Sequence, residues 1–172
     1  MKIIRCDPTH SSAILAILNE AIANSTALYD YRPRTPAMMQ TWFEAKTKGR
    51  FPVIGALDDA GELLGFASYG TFRAFPAYKY TVEHSVYVDS RFRGQGLGKL
   101  LLREVISTAI EQDYHVLIGA IDAANTASIA LHRSLGFSQC ASVKQAGFKF
   151  GRWLDLEFHQ LLLSTPAHPI DG

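Results

Sequence analysis

Apolar residues recur along this chain with two periods, and the changes between them mark out its elements. Lys2–Arg5 has the pattern of a short strand, while Ile14, Ile17, Leu18, Ala21 and Ile22 share one face of a helix over Ser11–Ala23. After a polar loop, Asn24–Arg34, the pair Thr35-Pro36 supplies a capping residue and a proline at the first helical position. It opens a helix carrying Met38, Met39, Trp42 and Phe43 that should stop at Gly49. Phe51–Leu57 and Leu63–Tyr69 predict a hairpin around the turn Asp58–Gly61.

The second half alternates more regularly. Thr81–Val88 is rich in β-branched and aromatic residues and breaks at Asp89. A glycine-rich run follows, and then Leu97, Leu100, Leu101, Val105, Ile106, Ala109 and Ile110 repeat at helical spacing up to Asp113. Val116–Ile121 is nearly all apolar, as in a strand buried on both faces; Thr126–Leu135 predicts a short helix closed by Gly136. Two last strands are expected around Ser138–Ala146 and Trp153–Leu162. The order β-α-α-β-β-β-α-β-α-β-β predicts an α/β fold, a mixed β-sheet with helices on both faces.

Composition narrows the function classes. A chain of 172 residues suits one domain, expected over residues 1–163, with 164–172 as a frayed tail holding two prolines and a glycine. Seventeen basic against 16 acidic residues leave a formal charge of +1, so no surplus charge points to nucleic acid or an anionic membrane. A local basic patch could still hold a phosphorylated cofactor. Cys6 and Cys140 are isolated thiols, suited to a reducing compartment and not to a metal site, and no metal is expected. The start of the chain reaches Asp7-Pro8 at once, unlike a signal peptide, and no stretch approaches the roughly 20 apolar residues that span a bilayer. A cytoplasmic protein acting on a small ligand is expected.

The chemistry centres on Arg93-Gly94-Gln95-Gly96-Leu97-Gly98, between a strand and a helix. Glycines let backbone approach a ligand, and the first N–H groups of the next helix are unpaired, which suits a diphosphate. On glycines alone, a turn that binds nothing remains the alternative. A phosphate loop of the G-x-x-x-x-G-K-[ST] type fails because Leu100 follows Gly98-Lys99 and Arg93 stands five before Gly98. A dinucleotide fingerprint fails because Lys99 and Leu101 stand where its last glycine belongs.

The pattern R/Q-x-x-G-x-G/A is met by Arg93, Gly96 and Gly98, and here the chain resembles the GNAT acetyltransferases, whose loop of this pattern holds the pyrophosphate of acetyl-CoA. Asn125, leading a helix that ends Leu135-Gly136-Phe137, looks like the family's second cofactor-contacting segment. More narrowly, Thr81–Val88, Leu131–Phe137 and Phe148–Leu156 look like the phosphinothricin and methionine sulfoximine acetyltransferase branch. The resemblance implies a cofactor set of Val86, Tyr87, Val88, Arg93, Gly94, Gln95, Gly96, Leu97, Gly98, Lys99, Asn125, Ser128 and Ser134. In it, backbone N–H groups around Val86 and Val88 meet the thioester carbonyl and the pantetheine arm. It also implies a homodimer.

Acetyl transfer needs an unprotonated amine, a polarised thioester carbonyl and a proton for the departing thiolate. Glu83 is the candidate base; otherwise it lies on a solvated strand face or pairs with a cation. His84 alternates with Glu83, so a regular strand cannot aim both into one pocket unless a bulge intervenes. Asn125 can contact pantetheine, cap its helix, or do both. Many superfamily members carry a tyrosine four residues before the Gly-Phe pair, where this chain has His132. That leaves His132 as a candidate acid, Ser128 or Ser134 as cofactor contacts, or a thiolate that leaves unassisted. Arg73, with Ala74 and Phe75 in an aromatic loop, could clamp an α-carboxylate, with Glu83, His84 and Ser85 completing the substrate set; otherwise it is a surface arginine. Thr71-Phe72, Val143–Gly147 and Ala27–Asp30 differ from the branch's usual residues. The implied activity is transfer of acetyl to the α-amine of a small amino-acid-like molecule. Acetylation of a protein N-terminus or lysine, or coenzyme A binding without catalysis, are the competing readings.

Overall fold

A computed structural model describes residues 1–171; Gly172, the end of the expected tail, lies outside the described residues. The elements follow the expected order: β1 Lys2–Arg5, α1 Ser11–Asn24, α2 Pro36–Lys48, β2 Val53–Leu57, β3 Leu63–Thr71 and β4 Thr81–Val88. They continue with α3 Leu97–Glu111, β5 Val116–Asp122, α4 Thr126–Arg133, β6 Ser138–Lys149 and β7 Arg152–Leu162. The strands form one mixed sheet in the order β1-β2-β3-β4-β5-β7-β6. The chain divides into two compact units. One holds Met1–Ser68 and Val86–Leu102; the other holds Tyr69–Ser85 and the chain from Arg103 onward.

In the first unit β1 and β2 pair antiparallel, as do β2 and β3. The apolar stripe of α1 closes on this sheet: Ile14, Ile17 and Leu18 join Met39 and Phe43 of α2 and Val53, Leu63 and Phe66 of the strands. Each such side chain contributes about 1.5–3 kcal/mol by leaving water. Thr35 caps α2 by accepting from the Met38 N–H at 3.3 Å. The helix ends at Gly49, but Gly49 is right-handed (φ −80°) and Arg50 takes the positive φ of 54°. What Gly49 supplies is room, since a Cβ there would fall 2.3 Å from the Phe51 ring. Strand β2 starts at Val53 and not Phe51, because Pro52 has no N–H to give a ladder.

In the second unit β4 and β5 run parallel from Thr81 opposite Val116 to His84 opposite Gly119. β5 pairs antiparallel with β7, and β7 with β6. Strand β5 is buried on both faces as expected, except that Ala120 is exposed. Strand β6 runs three residues further than expected, to Lys149. A bulge makes that possible: the register shifts between Val143 and Gly147, Gln145 takes φ 53°, and Asp155 accepts from the Gln145 N–H at 2.9 Å. From Ser164 the chain forms no helix or strand through residue 171. It is tied through Thr165, whose carbonyl accepts from His115 Nδ1 at 2.8 Å and whose hydroxyl donates to the Tyr114 carbonyl, and through Ile170, whose N–H donates to the Tyr80 hydroxyl at 3.1 Å. No helix among the described residues is long and apolar enough to cross a membrane.

Candidate active site

The glycine loop lies in the first unit and is braced by carboxylates. Asp89 accepts from the Arg91 N–H at 2.9 Å and opens a single helical turn over Ser90–Phe92. The Arg91 guanidinium bridges Asp89 at 2.7 Å and Glu62 at 2.6 Å, and its hydrogen bonds to Asp89 are the main reason that carboxyl sits below the usual range. Arg93, expected among the cofactor residues, donates to the Val88 carbonyl at 3.2 Å and to Glu20 at 2.7 Å. Its guanidinium therefore holds the loop in shape.

Gly94 and Gly96 have φ of 77° and 81°, and nothing lies within 4 Å of where their Cβ atoms would stand. Buried Leu97 anchors the start of α3, and its first turn bond runs from the Leu100 N–H to the Gly96 carbonyl at 3.1 Å. The N–H groups of Leu97, Gly98 and Lys99 precede that bond and have no intrahelical acceptor. Left-handed glycines over open space, then the positive end of a 15-residue helix, fit a diphosphate. The Tyr87 side chain is partly buried, its ring 5.4 Å from that of Phe66.

The other candidate residues lie in the second unit. Glu83 is half-buried and has no hydrogen bond or ion pair among the described residues; desolvation raises its pKa. Val82 and His84 are buried on the opposite face of a strand whose register is regular through His84. The structure therefore keeps Glu83 and His84 apart. His84 meets His132 instead, Nε2 to Nε2 at 2.9 Å, with Phe137 against both rings at 5.2 and 5.1 Å. Gly119 makes the meeting possible, because a Cβ there would stand 2.9 Å from His84 and 3.1 Å from His132. Burial, and then the neighbouring His132, pushes the His84 pKa down to about 3; burial also lowers that of His132.

Asn125 caps α4, accepting from the Ser128 N–H at 3.1 Å, and Ser134 donates to the Leu131 carbonyl at 2.8 Å. Ser128 offers its carbonyl to His132 Nδ1 at 2.7 Å. Ser85 is half-buried on β4, next to His84. Arg73 is exposed with its guanidinium 5.4 Å from the Phe72 ring, which meets Tyr78 edge-on at 5.8 Å. Among the described residues it has no carboxylate partner, and the neighbouring Phe75 is 71% exposed.

Three residues that the sequence did not single out belong to this unit's polar interior. They are Gly119, His159 and Glu157, the last two joined Nε2 to Oε2 at 2.9 Å, with His159 fully buried. A lone glycine in an apolar strand, and two polar residues two apart on another, were the available signals. No cluster of three or more metal-ligating side chains occurs among the described residues.

Residues 17–137 match the model of the acetyltransferase (GNAT) family, and the chain belongs to that family. Over 150 residues, 87% of each chain, it is 50% identical to the L-methionine sulfoximine/L-methionine sulfone acetyltransferase of Pseudomonas paraeruginosa. It superposes with a TM-score of 0.94 on yncA of Salmonella typhimurium, solved with its cofactor acetyl-CoA, at 40% identity over 99% of this chain and 98% of that one. A GNAT phosphinothricin acetyltransferase of Sinorhizobium meliloti in complex with acetyl-CoA gives 0.93, at 35% identity over 98% and 91%.

Proposed function

We propose that this enzyme moves acetyl from acetyl-CoA to the α-amino group of a small amino-acid-like substrate: methionine sulfoximine, methionine sulfone, phosphinothricin or a close relative. The observation that carries this is Glu83, a desolvated carboxylate without a cationic partner, on the strand that runs into the anion-cradling loop. Acetyl-CoA supplies the acetyl group as a thioester, whose C–S bond breaks as the amine nitrogen forms its bond to the carbonyl carbon; the proton the nitrogen sheds on becoming an amide balances the departing thiolate, so coenzyme A ends as the free thiol. The backbone N–H groups of Gly94, Gln95, Gly96, Leu97, Gly98 and Lys99 hold the diphosphate. The backbone of Val86, Tyr87 and Val88 meets the acyl and pantetheine portions, with Asn125, Ser128 and Ser134 as further contacts.

Glu83 takes the ammonium proton, directly or through a water, and its raised pKa brings it nearer the operating pH of a base. Arg73, with Ala74 and Phe75 beside it, receives the substrate carboxylate, for which an unpaired guanidinium is suited. His84 and Ser85 flank that subsite on β4. A thiol-release assay with acetyl-CoA should show turnover with methionine sulfoximine, methionine sulfone or phosphinothricin. Release with peptides alone, or with no amine in a broad panel, would overturn the proposal.

The same reading takes residues 1–163 as one catalytic domain in a cytoplasmic homodimer. Two free thiols, Cys6 and Cys140, support the compartment. The dimer is supported by the β6–β7 hairpin, where Phe148 and Trp153 meet at 5.1 Å yet are 45% and 59% exposed.

A further inference from the structure

His132 stands in the slot where a proton donor to the thiolate was expected, and its hydrogen bonds say otherwise. A carbonyl oxygen only accepts, so the 2.7 Å contact to the Ser128 carbonyl requires a proton on His132 Nδ1. In the neutral ring Nε2 is then a bare acceptor. The 2.9 Å contact between the two Nε2 atoms must in turn be a donation from His84. Both protons are thereby fixed: that of His132 lies on the Ser128 carbonyl, and that of His84 lies between the two rings. A second proton on His132 would set two N–H groups head to head.

The surroundings keep that proton out. His132 is buried, and His159, across the β5–β7 ladder from Gly119, further disfavours a charge on it. His159 donates from Nε2 to Glu157 at 2.9 Å. His84 and His159 are the titratable groups coupled to His132, and Glu157 bonds His159 behind them. His84 is also the last residue of β4 in its ladder with β5, directly between Glu83 and Ser85. Holding the His84 ring on one face fixes the backbone that aims Glu83 out of the other.

We infer that His132 is a positioning residue: a neutral acceptor that, in the space left by Gly119, holds His84 and through it the strand carrying Glu83, and gives no proton to the thiolate. This rests on the transferase reading above. A general acid contributes about 10²–10⁴-fold, so the two roles separate cleanly in a variant series. His132→Gln keeps an acceptor near the Nε2 position and has no titratable proton. It should retain kcat within about threefold of the wild type, whereas a lost acid would cost about a hundredfold or more.

His132→Phe removes the acceptor, and His132→Asn keeps polarity near Nδ1 but falls short of His84. Both should lose about tenfold or more in kcat with little change in the KM for acetyl-CoA, and Gly119→Ala should behave like them. Asparagine covers the case in which phenylalanine prevents folding. Long-range ¹H–¹⁵N correlation spectra of the wild-type protein near neutral pH should show His132 as the Nδ1–H tautomer and His84 as the Nε2–H tautomer. A doubly protonated His132, a glutamine variant as impaired as asparagine, or an asparagine variant as active as the wild type would each overturn the inference. Absence of turnover in the wild type would instead sink the transferase reading, and the tautomer spectra would still decide this one.

Discussion

Acid should unfold this protein partly through His84. Its ring is buried as the neutral form, with a pKa pushed down to about 3, whereas an imidazole in the unfolded chain titrates near 6.5. The native state therefore refuses a proton that the unfolded state accepts. This contribution is fully present above the unfolded value and is lost as pH falls towards the folded one. The slope is about 1.36 kcal/mol per pH unit for one proton, so moving from about pH 8 to about pH 5 removes about 2 kcal/mol. That is a large share of a typical stability of about 5–15 kcal/mol. Glu83, whose folded pKa is raised, acts with the opposite sign in acid, so the wild-type curve alone does not isolate His84.

His84→Gln does isolate it, because the amide can still donate to His132 Nε2 but does not titrate. Urea unfolding of both proteins through that pH range should show the wild type losing about 2 kcal/mol more than the variant. Parallel stability curves would refute the assignment of a buried, neutral His84.

Two further outcomes test the first unit. Gly96→Ala puts a methyl group into the open space of the cradle at φ 81°, which costs about 1–2 kcal/mol of backbone strain. It should also weaken coenzyme A binding about tenfold or more by calorimetry. Gly61→Ala meets the same strain at φ 85° over equally open space and should leave that affinity unchanged; equal losses in both variants would deny Gly96 a place in the cradle. Lys46, between the Trp42 and Phe51 rings at 5.2 and 5.8 Å, has its pKa lowered to about 8 by burial. Its amine should titrate there by NMR of the labelled side chain, and a midpoint near the ordinary lysine value of about 10.4 would show that the stem is solvated.

What could be read beforehand was local in sequence. Thr35-Pro36 opening α2, the turn at Asp58–Gly61 and the glycine run entering α3 are each specified by neighbouring residues, and the structure has them where the pattern puts them. The separation of Glu83 from His84 likewise follows from strand alternation alone. Long-range partners were not legible. Arg93 binds Glu20 from 73 residues away, and His84 meets His132 across 48, through a space that Gly119 provides only because β5 lies between them. The bulge in β6 was hidden for a similar reason: the residue that stabilises it, Asp155, belongs to the next strand.

If the glycine loop holds coenzyme A as proposed, its two arginine braces bear on the thermodynamics of capture. With Arg91 tied to Asp89 and Glu62, and Arg93 to Val88 and Glu20, the donors at the head of α3 are already in formation in the free protein. Association then orders little additional main chain, so less of the interaction is surrendered as lost conformational freedom. On the proposed reading, acetyl-CoA would meet a loop already held in shape by these contacts.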